Sequence, residues 1–244
     1  AFSSAFGTTQ AEGGGKTAHG ISGGVSVIGF YDYTVILTYI SFVSAVAGIF
    51  CASSRQLQWA IFFLAFSGFC DMFDGKIART KKNRTEDEES FGIQIDSLCD
   101  IVCFGVLPIV ICYKLGMDHI YGMAILALYG LAGLIRLGYF NVMEAKRQRE
   151  EGGARKYYQG LPITSMAIAL PLLFVVSPLF PTHGAFIAVL HIVVALVGFL
   201  FILNFRLRKP NVKQVLLIVA AVALAVVVIL FAWHSWRNLL KGRI

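Results

Sequence analysis

Seven stretches of this chain, roughly 33–53, 57–78, 92–114, 119–143, 162–181, 184–205 and 214–234, each come close to the ~20 apolar residues needed to cross a bilayer. Seven spans in 244 residues leave no room for a separate soluble domain. The predicted fold is an all-α integral membrane protein, because a helix satisfies its own backbone hydrogen bonds inside lipid. Only 14% of the residues are charged, against roughly 25% in soluble domains, and the mean hydropathy is +0.72.

The chain divides into three parts: 1–32, a transmembrane core over 33–205, and an additional C-terminal helix and tail over 206–244. The first part is rich in Gly, Ser, Thr and Ala and reads as a flexible lead-in that ends in an aromatic interfacial patch at Phe30, Tyr31 and Tyr33. It lacks the basic n-region of a signal peptide.

Basic residues set the orientation. Arg79, Lys81, Lys82 and Arg84 follow the second span, Lys146, Arg147, Arg149, Arg155 and Lys156 the fourth, and Arg206, Arg208, Lys209 and Lys213 the sixth. The alternate loops hold only Arg55 and Lys114. The positive-inside rule therefore puts the amino terminus in the cytoplasm. Seven spans then leave the basic tail SWRNLLKGRI outside, which runs against the same rule. The net charge of +7 is spread over loops between spans, which suits lipid headgroups and argues against nucleic acid. Cys51, Cys70, Cys99, Cys103 and Cys112 lie in or beside spans with no C-x-x-C pair, and read as small buried filler.

Against this apolar background, four carboxylates stand out: Asp71 and Asp74 in the second span, Asp96 and Asp100 in the third. Left unpaired at mid-bilayer they would cost on the order of 10 kcal/mol. The pairs are spaced three and four apart, so each projects from one helical face. Asp71 and Asp100 lie at similar depth from the cytoplasmic ends of their helices, and Arg136 lies at matching depth in the fourth span. One polar site ringed by three helices is expected. Oxygen ligands of this kind suit Mg²⁺, Mn²⁺ or Ca²⁺, and a divalent ion there calls for an anionic substrate such as a phosphate or diphosphate.

The order D-x2-D-G-x2-A-R, then G-x3-D-x3-D, formed by Asp71, Asp74, Gly75, Ala78, Arg79, Gly92, Asp96 and Asp100, resembles the signature of the CDP-alcohol phosphotransferase family. The stretch TKKNRTEDEESF between Arg79 and Gly92 is longer than that family usually shows, and its Glu86–Glu89 run reads as a solvated loop. FGIQIDSLCDIVCFGVLP, LIRLGYFN and KYYQGLP further resemble the membrane-embedded, phosphatidylserine-forming branch, so that the likeness runs from Phe69 to about Pro162.

That resemblance implies a six-helix transmembrane core, a homodimer, and a site on the cytoplasmic side of the cell membrane. It implies CDP-diacylglycerol and L-serine as substrates, with displacement of CMP by the serine hydroxyl. Asp71, Asp74, Asp96 and Asp100 would hold the divalent metal and Asp100 would serve as the base. Asp71, Gly75, Ala78, Arg79 and Gly92 would contact CDP-diacylglycerol, with Arg136 and Asn141 on the serine. Tyr157, Tyr158 and Gln159 could cap the pocket. Glycerol phosphate or inositol phosphate acceptors are the alternatives within the family. Outside it stand a membrane prenyltransferase and an ion transporter, though no second copy of the acidic motif supports the latter.

Overall fold

The computed structural model describes residues 29, 33–78, 80–81, 85–150, 157–208 and 212–241; the expected lead-in over 1–32 lies outside these except for Gly29. The architecture is helical throughout its bulk: α1 (Tyr33–Ser53), α2 (Leu57–Ala78), α3 (Glu86–Asp100), a π-helical segment (Ile101–Val106), α4 (Leu107–Leu115), α5 (Ile120–Glu150), α6 (Met166–Val175), α7 (His183–Ile202) and α8 (Val212–Lys241). A short antiparallel ribbon pairs β1 (Tyr157–Gln159) with β2 (Arg206–Arg208).

Among the described residues, four helical segments are long and apolar enough to cross a membrane: Tyr33–Ser53, Glu86–Leu115, Ile120–Lys146 and His183–Ile202. Leu217–Phe231 and Ile163–Val175 are shorter apolar helices. In α2 the apolar run is broken by Asp71 and Asp74, and it is not among the four. The chain is thus an all-α, multi-pass membrane protein.

Small residues bring the first two helices together. The buried stripe of α1 is Thr34, Thr38, Ser41, Ala45, Gly48 and Ala52, with Ser44 beside it. Lipid tails are as apolar as leucine, so helices associate where small side chains let backbones close in. Ser41 Oγ donates to Ser67 O at 3.3 Å, Ser67 Oγ donates to Ser41 O at 3.1 Å, and Ser44 Oγ donates to Phe63 O at 3.3 Å. On its other side α2 meets α6, and a Cβ on Gly68 would sit 2.7 Å from that of Ala167. The core continues through Phe104, Leu107, Ile111, Met166, Leu170, Leu190 and Phe201. α8 packs against α2 and α6.

Expected boundaries move at several places: α5 runs on to Glu150 and α8 to Lys241, each seven residues past the expected ends at 143 and 234. α3 begins at Glu86, six residues before the expected start at 92, so the acidic run is the first turn of a helix. Thr85 accepts from Glu88 N at 3.2 Å while the Glu88 carboxylate takes Thr85 N–H at 3.2 Å, a capping box. Acidic residues suit that end of the helix dipole, and Lys81 pairs with Glu88 at 3.1 Å. The expected span 162–181 holds regular α-helix only over Met166–Val175, flanked by 3-10 turns at Ile163–Ser165 and Ser177–Leu179. Pro162 and Pro178 lack the N–H that would extend the helix at either end.

Candidate active site

The acid-bearing half of α2 faces the second half of α3, and the four carboxylates meet there. One oxygen from each of Asp71, Asp96 and Asp100 lies within 4.8 Å of the others. Asp71 and Asp100 are within side-chain hydrogen-bonding range of each other, as are Asp74 and Asp96. Asp74 is buried, accepts from Gly75 N–H, and so stands beside the tight trio.

Magnitudes decide what such a trio needs. Two ionised carboxylates 4.8 Å apart repel by about 3.5 kcal/mol at an effective dielectric of about 20. The three pairs together come to on the order of 10 kcal/mol, more than any neighbouring dipole returns. Hard divalent ions bind oxygen at about 2.0 to 2.6 Å, so their ligand oxygens lie about 3 to 5 Å apart. The all-oxygen donor set and its spacing therefore fit a Mg²⁺, Mn²⁺ or Ca²⁺ ion. The five cysteines are all free thiols; Cys70, Cys99, Cys103 and Cys112 are buried, as filler should be.

The space beside the acids is open. A Cβ built on Gly75 would meet nothing within 4 Å, so this glycine borders free volume rather than a neighbouring helix. Gly92 is half-buried on α3, four residues before Asp96. Ala78 closes α2, with its side chain outside the described set, and Arg79 lies outside the described residues.

α5 packs against α3. Arg136 is buried, and its Nη2 donates to Gly160 O at 3.4 Å. Gly160 has φ +69°, where side chains are strained, and its N–H donates to Phe205 O at 2.6 Å. A Cβ there would lie 2.8 Å from Arg136 Nη1 and 2.9 Å from Leu203 O. Only glycine lets the strap next to the ribbon close over the guanidinium. Asn141 Oδ1 accepts from Ser97 Oγ at 2.9 Å, leaving its amide hydrogens for another partner. Tyr157, Tyr158 and Gln159 contribute the backbone of β1, and their side chains are outside the described set.

Sequence reasoning missed Ser97, Gly160 and the β1–β2 ribbon. Ser97 follows Asp96 directly, and Gly160 sits in the KYYQGLP segment, yet their partners are 44 and 24 residues away. A cavity of about 710 Å³ at the opposite end of the helices, lined in part by His119, His183 and His191, holds one acid, Asp118, and so lacks the carboxylate cluster.

A CDP-diacylglycerol–serine O-phosphatidyltransferase of Saccharomyces cerevisiae is 33% identical over 151 residues, covering 59% of this chain and 53% of the yeast protein. One from Helicobacter pylori is 30% identical over 192 residues, covering 76% of this chain and 74% of its own length. The archaetidylserine synthase of Methanothermobacter thermautotrophicus is 28% identical over 155 residues, covering 63% and 62%. The chain thus spans about half of the yeast relative and about three quarters of the bacterial one. A family model described as CDP-alcohol phosphatidyltransferase matches residues 33–240, from the start of α1 to the end of α8, and with the acid cluster inside that match the chain belongs to this family.

Proposed function

We propose that this protein transfers the phosphatidyl group of CDP-diacylglycerol to the hydroxyl of L-serine, giving phosphatidylserine and CMP. The observation that carries the reading is the carboxylate trio of Asp71, Asp96 and Asp100 in a chain of this family. The relatives' names favour serine: they differ in the lipid but share that acceptor. A phosphorylated acceptor would call for added basic residues in the pocket, and Arg136 is the buried cation among the described residues.

Asp71, Asp74, Asp96 and Asp100 are the residues that would hold the divalent ion. Bound there, Mg²⁺ or Mn²⁺ supplies Lewis acidity and charge neutralisation at the diphosphate. Asp100, on the π-helical side of the trio, takes the proton of the serine hydroxyl. The serine oxygen then forms its bond to the lipid-side phosphorus as the bond from that phosphorus to the CMP oxygen breaks. Arg136, oriented by Gly160, holds the serine carboxylate through its planar fork, and Asn141 completes the pocket. Gly75, Gly92, Ala78 and Arg79 border the nucleotide, where the open volume over Gly75 admits it.

The reading includes seven crossings, with Glu86–Leu115 as one of them, a site on the cytoplasmic side of the cell membrane, and a homodimer in the bilayer. Loop charge supports the orientation, since the ends of α2, α5 and α7 nearest the site carry the basic loops.

The direct test is CMP release from CDP-diacylglycerol by purified protein in Mn²⁺, with and without L-serine. Serine-dependent release with phosphatidylserine as product is expected. Release that responds to glycerol phosphate or inositol phosphate and not to serine would move the protein to another acceptor class.

A further inference from the structure

The acid-bearing helix does not continue straight past Asp100. Ile101 N–H still bonds Ser97 O four residues back, but Leu107 N–H reaches Val102 O, five residues back. The cause lies one residue on. Pro108 has no N–H, and in α-helical register it would have been the donor to Phe104 O. That carbonyl would be orphaned in the core, yet the Tyr129 hydroxyl donates to it from α5. Tyr129 is 2% exposed. Its ring lies 5.5 Å from that of Phe201, and its backbone is approached by Gly198, where a Cβ would stand 3.3 Å from Tyr129 Cα.

A π turn amounts to one inserted residue, which rotates everything on one side of it by about 100° relative to the other. α4 is locked on the far side by Leu107, Ile111 and Cys112, each fully buried. The register of the π segment therefore sets which way Asp96 and Asp100 point. Two bonds from α5 bracket Asp100: Ser97 to Asn141 three residues before it, and Tyr129 to Phe104 four residues after.

We propose that Tyr129 is a positioning residue for the carboxylate cluster: by supplying the hydrogen bond that Pro108 cannot, it holds the π turn that aims Asp100 at Asp71 and Asp96. The turnover part of this inference rests on the reading above, whereas the metal-binding part does not.

Three variants of the full-length protein test it, each measured for turnover, for Mn²⁺ affinity by the free-ion paramagnetic resonance signal, and for melting temperature. Tyr129→Phe should lower kcat about 10- to 100-fold, the scale of a small misplacement, with both KM values held within about twofold. Its Mn²⁺ affinity should fall as well. Pro108→Ala restores the backbone donor and favours the α register, so it should fold at least as well as the wild type while losing kcat and Mn²⁺ affinity. Tyr129→Phe combined with Pro108→Ala should recover the melting temperature without recovering either functional readout. The proposal is overturned if Pro108→Ala keeps wild-type turnover and Mn²⁺ affinity, or if the double variant regains function together with stability. Wild-type protein that releases no CMP with serine, alongside weakened Mn²⁺ binding in Tyr129→Phe, would overturn the proposed reaction and support the positioning role.

Discussion

The two halves of α2 treat polar groups in opposite ways. In the first half, Ser67 exchanges hydrogen bonds with Ser41 of α1, each hydroxyl donating to the other's backbone carbonyl. Both hydroxyls are uncharged, and each has its acceptor inside the protein. In the second half, Asp71 and Asp74 turn toward Asp96 and Asp100, four acceptors of one sign with no set of cations among the described residues to match them. One interface is closed; the other is incomplete until something positive and something anionic enter. That contrast separates a polar residue that fastens helices from one that does chemistry.

Removing the ion should have the largest effect and break the comparison at its incomplete side. Chelation should abolish turnover, and Mg²⁺ or Mn²⁺ should restore it; full turnover in metal-free buffer would show that the acids are fastened as the serines are. Asp71→Asn or Asp96→Asn should weaken both metal and CDP-diacylglycerol binding, because an amide is a poorer ligand for a hard cation. Loss of several kcal/mol of charge stabilisation would lower kcat/KM on the order of 10³-fold or more.

Asp100→Asn sharpens the contrast within the cluster. Turnover should fall about 10²- to 10⁴-fold, with lipid-nucleotide binding, followed by calorimetry in Mn²⁺, less affected than in the Asp96 variant. Wild-type CMP release from that variant would remove Asp100 from the role of base.

Arg136→Ala should raise the serine KM by about 30-fold or more, the range for truncating one partner of a buried charged contact, and leave CDP-diacylglycerol affinity intact. If serine affinity holds and nucleotide binding collapses, Arg136 serves the diphosphate. Gly160→Ala should reproduce part of the serine effect, since its Cβ would displace the guanidinium.

The smallest effect belongs to the closed interface. Ser67→Ala should cost about 0.5 to 1 kcal/mol of stability, the usual worth of a hydrogen bond between membrane helices, and leave kcat unchanged. A large loss of activity would show that the two halves of α2 are coupled.

Much of this molecule was written in its local pattern. Apolar runs of bilayer length placed α1, α2, α5 and α7 within a few residues at most boundaries, because a helix in lipid must satisfy its own backbone whatever surrounds it. The i, i+3 and i, i+4 spacing of the four aspartates already put each pair on one helical face, and the capping box at Thr85 was legible too, though it read as loop. What sequence could not supply was the company each side chain keeps across the bundle. That Asp71, Asp96 and Asp100 come within 4.8 Å, that Arg136 is tied to Gly160, and that Asn141 is tied to Ser97 depend on how α2, α3 and α5 cross. The π turn shows the reason most plainly. Pro108 announced that a donor would be missing, but whether the helix would kink, break or widen was decided by a tyrosine hydroxyl on α5, since an orphaned carbonyl in a dry core is resolved by whichever donor the tertiary structure brings to it.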